Sequence, residues 1–194
     1  VRGLKDQGII RHIGMSTHNP AVAKMGALCG EIEMILFSIN PAFDMLPASE
    51  NIEDYFKERY EEELGGIAPE RAELYRICEQ EEVGITVMKG YAGGRLFSAE
   101  ASPFGVALTP VQCLHYALTR PAVASVMVGY DTPDHVAAAV AYESASEEEK
   151  DYATVLAGAP HHAYAGQCTY CGHCAPCPAA IDIAMVNKLY DLAV

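Results

Sequence analysis

Four cysteines lie within ten residues near the C-terminal end of the chain, and their spacing is its strongest chemical signal. Cys168, Cys171, Cys174 and Cys177 form the pattern C-x2-C-x2-C-x2-C, which is followed directly by Pro178. Thiolates are soft ligands that suit iron–sulfur clusters, zinc and copper(I). A ferredoxin-type run is C-x2-C-x2-C-x3-C-P, so this pattern differs only in its last gap. We therefore expect a [4Fe–4S] cluster bound by these four cysteines.

Two other interpretations of the cysteine run stay open. Structural zinc sites usually separate two Cys pairs by roughly a dozen residues, a poor fit to this run, although a nearby His can replace one ligand. The stretch 171–174 alone matches a dithiol redox motif, but such a motif normally opens a helix, and here Pro follows the run. The candidate His ligands are His161, His162 and His173. The remaining cysteines, expected as buried thiols on helices, are Cys29, Cys78 and Cys113.

The rest of the chain alternates short apolar runs, typical of buried strands, with helical patterns. The predicted strands are 9–15, 34–39, 84–88 and 123–128. The residues predicted to cap the helices that follow or close these units are Asn19, Thr109, Thr132 and Ser146. A further helix is predicted over 181–192. This alternation indicates a parallel α/β sheet or barrel. Four units cannot close an eight-stranded barrel, so the chain is either an open sheet or half a barrel.

Composition and charge exclude several classes of protein. The 194 residues are 51% hydrophobic and 20% charged, as in ordinary globular proteins rather than disordered ones. Twenty-six acidic residues against 13 Lys and Arg give a formal charge of −13, which argues against a nucleic-acid partner. No apolar run reaches the ~20 residues that cross a membrane, and no signal peptide is visible, so we expect a cytoplasmic protein. Because the chain opens at Val1 rather than Met, we expect it to be part of a longer protein.

Several segments together resemble the aldo/keto reductases, in the right order and over nearly the whole chain. The segments similar to that family's fifth to eighth strands are 8–19, 37–41, 87–96 and 125–133. The terminal Cys run resembles the subgroup that appends a ferredoxin-like segment to the barrel. The resemblance implies strands 5–8 of a (β/α)8 TIM barrel in residues 1–156. It implies a small Cys-rich ferredoxin-like segment in residues 157–194.

The resemblance also says which functional parts to expect. The family reduces carbonyl groups with a nicotinamide cofactor, NAD(P)H, through a catalytic tetrad that lies in the first half of the barrel. We therefore assign no catalytic residue to this chain. We expect it to pair with the missing N-terminal half or to self-associate, and a cluster would suit an electron-transfer partner. The alternative is a non-catalytic scaffold or partner-binding module stabilised by zinc or a structural cluster.

Four positions match the family's cofactor contacts. Ser16 and Thr17, with Thr17 in place of the usual Asn, correspond to the pair that holds the nicotinamide amide. Gly129 and Thr132 correspond to the adenosine end, between the seventh-strand loop and the helix after the eighth strand. Thr132 also fits the start of an ordinary capped helix.

Two carboxylates lie beside the predicted adenosine end. Asp131 and Asp134 would repel a 2′-phosphate, and no basic residue of the kind that usually pairs with that phosphate is visible there. The residues therefore argue against NAD(P)H binding by this chain.

Overall fold

A computed structural model describes residues 1–45, 66–160, 168 and 174–193. Its sheet has four parallel strands that neighbour one another in chain order. They are β1 (Gly14–Thr17), β2 (Met34–Ser38), β3 (Gly84–Met88) and β4 (Val123–Val126). A helical connection joins each strand to the next, so the predicted parallel α/β architecture is confirmed.

Nine α-helices lie in the described residues, together with 3-10 turns at Ala92–Phe97 and Ala141–Ser144. The helices are α1 (Arg2–Asp6), α2 (Pro20–Leu28), α3 (Pro41–Asp44), α4 (Pro69–Gln80), α5 (Pro110–Leu118), α6 (Pro133–Val140), α7 (Glu147–Lys150), α8 (Ala153–Ala157) and α9 (Ile183–Ala193). None of the helices in this part of the chain is long and apolar enough to cross a membrane.

The core lies between the sheet and the helices packed on its outer face. The strands alternate, so every second side chain points to those helices. On β2 and β3 these side chains are fully buried, and they are Ile35, Phe37, Ile85 and Val87. Leu74 and Tyr116, on α4 and α5, are buried in the same core.

The opposite, inner face of the sheet carries hydroxyl groups. Ser16, Leu36, Thr86 and Ser125 lie in register across the four strands. The Ser125 hydroxyl donates to Thr86 Oγ1 at 3.1 Å. Both serines are exposed, and Met34 on the same face is 46% exposed. This face of the sheet is therefore exposed at β1 and β4, whereas Thr86 on β3 is buried.

A buried polar cluster fixes α3 against α4 and α5. The Asp44 carboxylate, which is fully buried, accepts hydrogen bonds from Arg71 Nε at 3.0 Å, Tyr75 OH at 2.5 Å and Tyr116 OH at 2.7 Å. Arg71 also donates to the Ser38 carbonyl oxygen. Buried charges persist only when they are paired in this way. Burial and the neighbouring Asp44 carboxylate raise the pKa of Tyr75 well above its usual value.

The middle of the sheet and its two sides differ in whether their helices expose large apolar side chains. Among the described residues, α4 and α5 contribute no exposed large apolar side chain. The helices on the two flanks do: Met25 on α2 is 72% exposed and Val140 on α6 is 61% exposed. We call β2, β3, α4 and α5 the centre, and β1 with α2 and β4 with α6 the two flanks.

The predicted strand 9–15 is wrong in its position. The strand comprises Gly14–Thr17, and the Ile9 and Ile10 N–H groups instead donate to the Leu4 carbonyl oxygen, which folds this stretch onto α1. Of the predicted apolar run, Ile13 alone is buried, while Ile9 is 64% exposed. The reason is that Arg11 and His12 interrupt the run with side chains that stay in water.

The predicted continuous helix from Ser146 is divided in two. Ser146 caps α7 as expected, with its hydroxyl oxygen accepting from the Glu149 N–H. Asp151 then leaves helical geometry, and its carboxylate accepts from the Thr154 N–H at 2.9 Å, which starts α8. The Gln112 amide fixes this break by donating to the Asp151 carbonyl oxygen. The polar side chain of Asp151 thus offers the backbone an alternative to the helix.

The helical cysteines differ in burial. Cys78 and Cys113 are fully buried, as predicted, and burial raises the pKa of each thiol to about 12. Cys29 is exposed at the C-terminal end of α2, so the expectation of a buried thiol is wrong there. Gly30, at φ +71, follows it and ends the helix, and this helix end lies at the surface.

Candidate functional site

A cavity of about 480 Å³ opens at the carboxyl ends of β3 and β4. Its walls are the loop after β3 on one side and, on the other, the loop after β4 with the start of α6. Its lining residues are Lys89, Gly90, Tyr91, Gly93, Gly94, Phe97, Pro110, Val128, Gly129, Asp131, His135 and Ala138. Parallel sheets and barrels bind ligands at this end of their strands, and the volume lies within the usual ~300–1,000 Å³ of ligand pockets.

The loop after β3 holds its backbone in an uncommon conformation. Lys89, Ala92, Gly93 and Gly94 all have positive φ, at 61°, 49°, 67° and 85°. The Lys89 carbonyl oxygen accepts from Asn40 Nδ2 and from the Ala92 N–H, both at 2.8 Å. These bonds hold Lys89 in a region that non-glycine residues rarely adopt. Such turns direct backbone N–H groups into a concave surface that suits an anion.

Gly90 lets this loop approach the chain after β4. A Cβ at Gly90 would lie 3.0 Å from Val128 Cγ1 and 3.3 Å from Val126 Cγ1. A larger residue would push the two walls of the cavity apart.

Hydrogen bonds between residues close in sequence organise the opposite wall around the start of α6. The Asp131 N–H donates to His135 Nδ1 at 3.3 Å, which places the ring proton on Nε2 of a neutral His135. The Thr132 hydroxyl oxygen accepts from the His135 N–H at 3.3 Å and so caps the helix. Pro133, the first helical residue, has no N–H to offer. This wall therefore presents the Asp131 carboxylate and the His135 ring, and of the first three helical residues only Asp134 keeps an N–H that no described group occupies.

Two features describe the walls of the cavity, of which the Tyr91 ring is part. The Tyr91 hydroxyl is buried and has no hydrogen-bond partner among the described residues. Burial, with smaller contributions from Tyr130 and Cys113, raises the pKa of Tyr91, so this hydroxyl stays a donor. A Cβ at Gly94 or Gly129 would meet no atom within 4 Å, so both glycines leave open space in the walls.

Comparisons with known proteins identify the architecture. No family model matches the chain, and no curated protein matches it. Among solved structures it is similar to aldo-keto reductase AKR11C1 from Bacillus halodurans, with a TM-score of 0.52 to both the holo and the apo form. Identity is 21% to the holo form and 22% to the apo form. The chain has part of an aldo-keto reductase fold.

The extent of this match agrees with an incomplete barrel. The match covers 77% of this chain but only 51% of the holo form and 52% of the apo form, so the chain spans about half the length of these structures. Four parallel strands joined by helices are what a partial TIM barrel contains.

The cofactor positions expected from the aldo-keto reductase resemblance fall into two groups. Gly129 lines the cavity, and Thr132 borders it as the cap of α6. Ser16 and Thr17 lie at the end of β1, two strands from β3, and do not line the cavity. The Thr17 hydroxyl oxygen accepts from the Asn19 N–H at 3.1 Å.

His18 lies between these two groups along the carboxyl edge of the sheet. Its Nδ1 atom is buried and has no hydrogen-bond partner among the described residues. Burial lowers the pKa of His18, and the charges of Lys89 and Arg71 lower it further. Lys89 thus acts on His18 and also lines the cavity.

Lys89 and Tyr91 fall within the segment 87–96, which the sequence assigned to the seventh strand by resemblance without a role for either residue. The signal that could have found them is the run K-G-Y-A-G-G directly after the buried strand β3. Adjacent glycines at the carboxyl end of a parallel strand indicate a backbone turn of left-handed conformation. Such a turn is a common place for a ligand.

The cysteine run is only partly described. Cys168 and Cys174 are exposed and Cys177 is half-buried, while Cys171 lies outside the described residues, as do His161, His162 and His173. No group of three or more His, Cys, Asp or Glu suited to a metal ion occurs within the described part of the chain. The cluster assignment therefore stays a prediction from the sequence.

Proposed function

We propose that this chain is the C-terminal portion of an aldo-keto reductase-type oxidoreductase and forms one wall of its nicotinamide dinucleotide site. The observation that carries this proposal is the cavity at the carboxyl ends of β3 and β4, with Lys89 in its lining and open space at two glycines. The fold supports the proposal, because the cavity belongs to the half of the barrel that this chain resembles.

The residues of the cavity suit a dinucleotide in two ways. Lys89 would hold the pyrophosphate through its charge, and the left-handed turn would add the Gly93 N–H, since the Gly94 N–H already donates to the Tyr91 carbonyl oxygen. Ser16 and Thr17 would hold the nicotinamide amide at the far end of the same edge. When bound, the reduced cofactor supplies a hydride to a carbonyl carbon. The residue that protonates the carbonyl oxygen belongs, by resemblance, to the other half of the barrel.

The flanks support the proposal that a second half-barrel completes this one. Among the described residues, strands β1 and β4 end the sheet, the inner face is exposed at these two strands, and apolar side chains are exposed on α2 and α6. Unpaired strand edges and apolar patches are surfaces that proteins normally cover. The partner would be the N-terminal half of the barrel, with a second copy of this chain as the substitute when that half is missing. A monodisperse monomer in sizing chromatography would contradict this.

A titration with NADH tests the dinucleotide site. The full 194-residue chain should quench or enhance NADH fluorescence, and Lys89→Met should weaken binding by about tenfold because it removes the cation beside the pyrophosphate. Lys24→Met is the matched control, since Lys24 pairs with Glu73 on the outer helices and should leave NADH binding unchanged. Absence of NADH binding, or equal effects of the two variants, would overturn the proposal.

We further propose that Cys168, Cys171, Cys174 and Cys177 hold a [4Fe–4S] cluster that serves electron transfer or fixes the C-terminal segment. Thiolate ligands need a reducing compartment, which is consistent with the cytoplasm. Analysis of iron, acid-labile sulfide and zinc in anaerobically purified protein tests this. One equivalent of zinc without iron would overturn it and favour the scaffold alternative. A catalytic tetrad encoded upstream would favour the reductase.

A further inference from the structure

The two walls of the cavity carry opposite charges. Among the residues that line it, Lys89 is the one Lys or Arg and stands on the loop after β3. Asp131 is the one Asp or Glu and stands on the wall formed by the loop after β4 and α6. Asp134, three residues further on, is exposed and does not line the cavity. A bound molecule therefore meets positive charge at one wall and negative charge at the other.

The negative wall combines an acceptor with a donor. The Asp131 carboxylate accepts hydrogen bonds only. His135, which accepts the Asp131 N–H at Nδ1, carries its proton on Nε2 and can donate. A ribose diol matches this pair, because each hydroxyl both donates and accepts. An acidic residue that hydrogen-bonds a ribose 2′-hydroxyl is a general way of binding NAD-type dinucleotides.

A phosphate monoester does not match the same wall. At pH 7 it carries roughly two negative charges and offers acceptors only. It would face the Asp131 carboxylate; at the cap of α6 the Thr132 hydroxyl occupies the His135 N–H and Pro133 has no N–H, which leaves the Asp134 N–H. Asp131 is exposed, so water reduces the repulsion between the like charges without abolishing it.

We propose that this cavity binds an adenine dinucleotide that lacks the 2′-phosphate, with Asp131 as the residue that excludes the phosphorylated form. The inference rests on the proposed dinucleotide site and names the ligand class of that site. Asp131 acts on binding, and no step of the reaction passes through it.

Calorimetric titration of the full chain with ADP-ribose and with 2′-phospho-ADP-ribose tests the inference without any activity assay. ADP-ribose should bind more tightly, by about tenfold at low salt. Asp131→Asn should reduce this ratio several-fold, mainly by improving the affinity for the phosphorylated ligand. Asp134→Asn removes the same charge outside the cavity and should leave the ratio close to that of the unmodified chain.

The outcomes separate the two proposals. Equal affinities, or tighter binding of 2′-phospho-ADP-ribose, would overturn the exclusion by Asp131 and leave the dinucleotide site standing. Binding of neither ligand would overturn both. An equal change of the ratio in both variants would show that general surface charge, rather than Asp131, discriminates. Far-UV circular dichroism of each variant confirms that the fold is retained.

Discussion

The centre and the flanks of this sheet are built from the same strand–helix unit, yet they bury their apolar side chains to different extents. In the centre, apolar side chains of β2 and β3 are buried under α4 and α5, and the Asp44 cluster pairs every charge that it buries. On the flanks, Met25 and Val140 stand in water. The difference shows that a strand–helix unit buries its apolar side chains fully only when another unit lies on each side of it. This is what an unclosed barrel requires.

The largest expected contrast lies between a buried and an exposed ion pair. Asp44→Ala should lower the free energy of unfolding by about 3–5 kcal/mol, because it leaves Arg71 buried without its carboxylate. Lys24→Ala, which breaks the exposed pair between Lys24 on the flank helix α2 and Glu73 on α4, should cost far less, because water screens that pair. Urea unfolding of both variants measures this. Similar losses would remove the distinction between centre and flank.

Apolar truncation gives the next contrast. Leu74→Ala, in the fully buried centre, should cost about 2–5 kcal/mol. Met25→Ala should change the stability of the chain alone by less than about 0.5 kcal/mol, because that side chain is 72% exposed. Addition of the N-terminal half-barrel should raise the cost of Met25→Ala if the partner covers α2. An unchanged cost in the presence of that half would contradict the proposed interface.

The smallest effect concerns an exposed carboxylate at the amino end of β2. Hydrogen bonds from His12 and Lys5 hold the pKa of Glu33 down to about 2, against an ordinary 4.5. A carboxylate with a lowered pKa stabilises the folded chain above its ordinary pKa, and this contribution is lost as pH falls from about 4.5 to 2. Glu33→Gln should therefore lower the unfolding midpoint at pH 7 and make no difference at pH 2.

Unfolding midpoints across this pH range provide the measurement for Glu33→Gln. Glu148→Gln, at an exposed position of α7, is the control and should behave as the unmodified chain at both ends of the range. A deficit that persisted at pH 2 would show that Glu33 acts through packing rather than through its charge.

The sequence predicted the centre of the fold better than its edges. The strand 84–88 was predicted with its observed bounds, because a continuous apolar run is unambiguous when both faces are buried or paired. The first strand was misplaced because a flank strand loses that signal: Ile9 is apolar but exposed, and Ser16 is polar but within the strand. The break at Asp151 depends on tertiary bonds from Gln112, which no local pattern contains.

The candidate site was predictable only in part. Gly129 was named from the resemblance and lines the cavity. The unusual backbone of Lys89 was not predictable, because lysine seldom adopts positive φ and its conformation depends on Asn40, which lies 49 residues away. The pairing of Asp131 with His135 is likewise set by the fold of the wall.

The row of hydroxyls on the inner face affects how water interacts with this face before the proposed second half-barrel binds. Barrel interiors are dominated by branched aliphatic side chains. Here Ser16, Thr86 and Ser125 occupy one layer of that interior together with Leu36. Water can hydrate a hydroxylated surface, so the exposed face promotes aggregation less than an aliphatic one. In the proposed assembly, this composition would favour hydration of the exposed parts of the face until the second half-barrel binds.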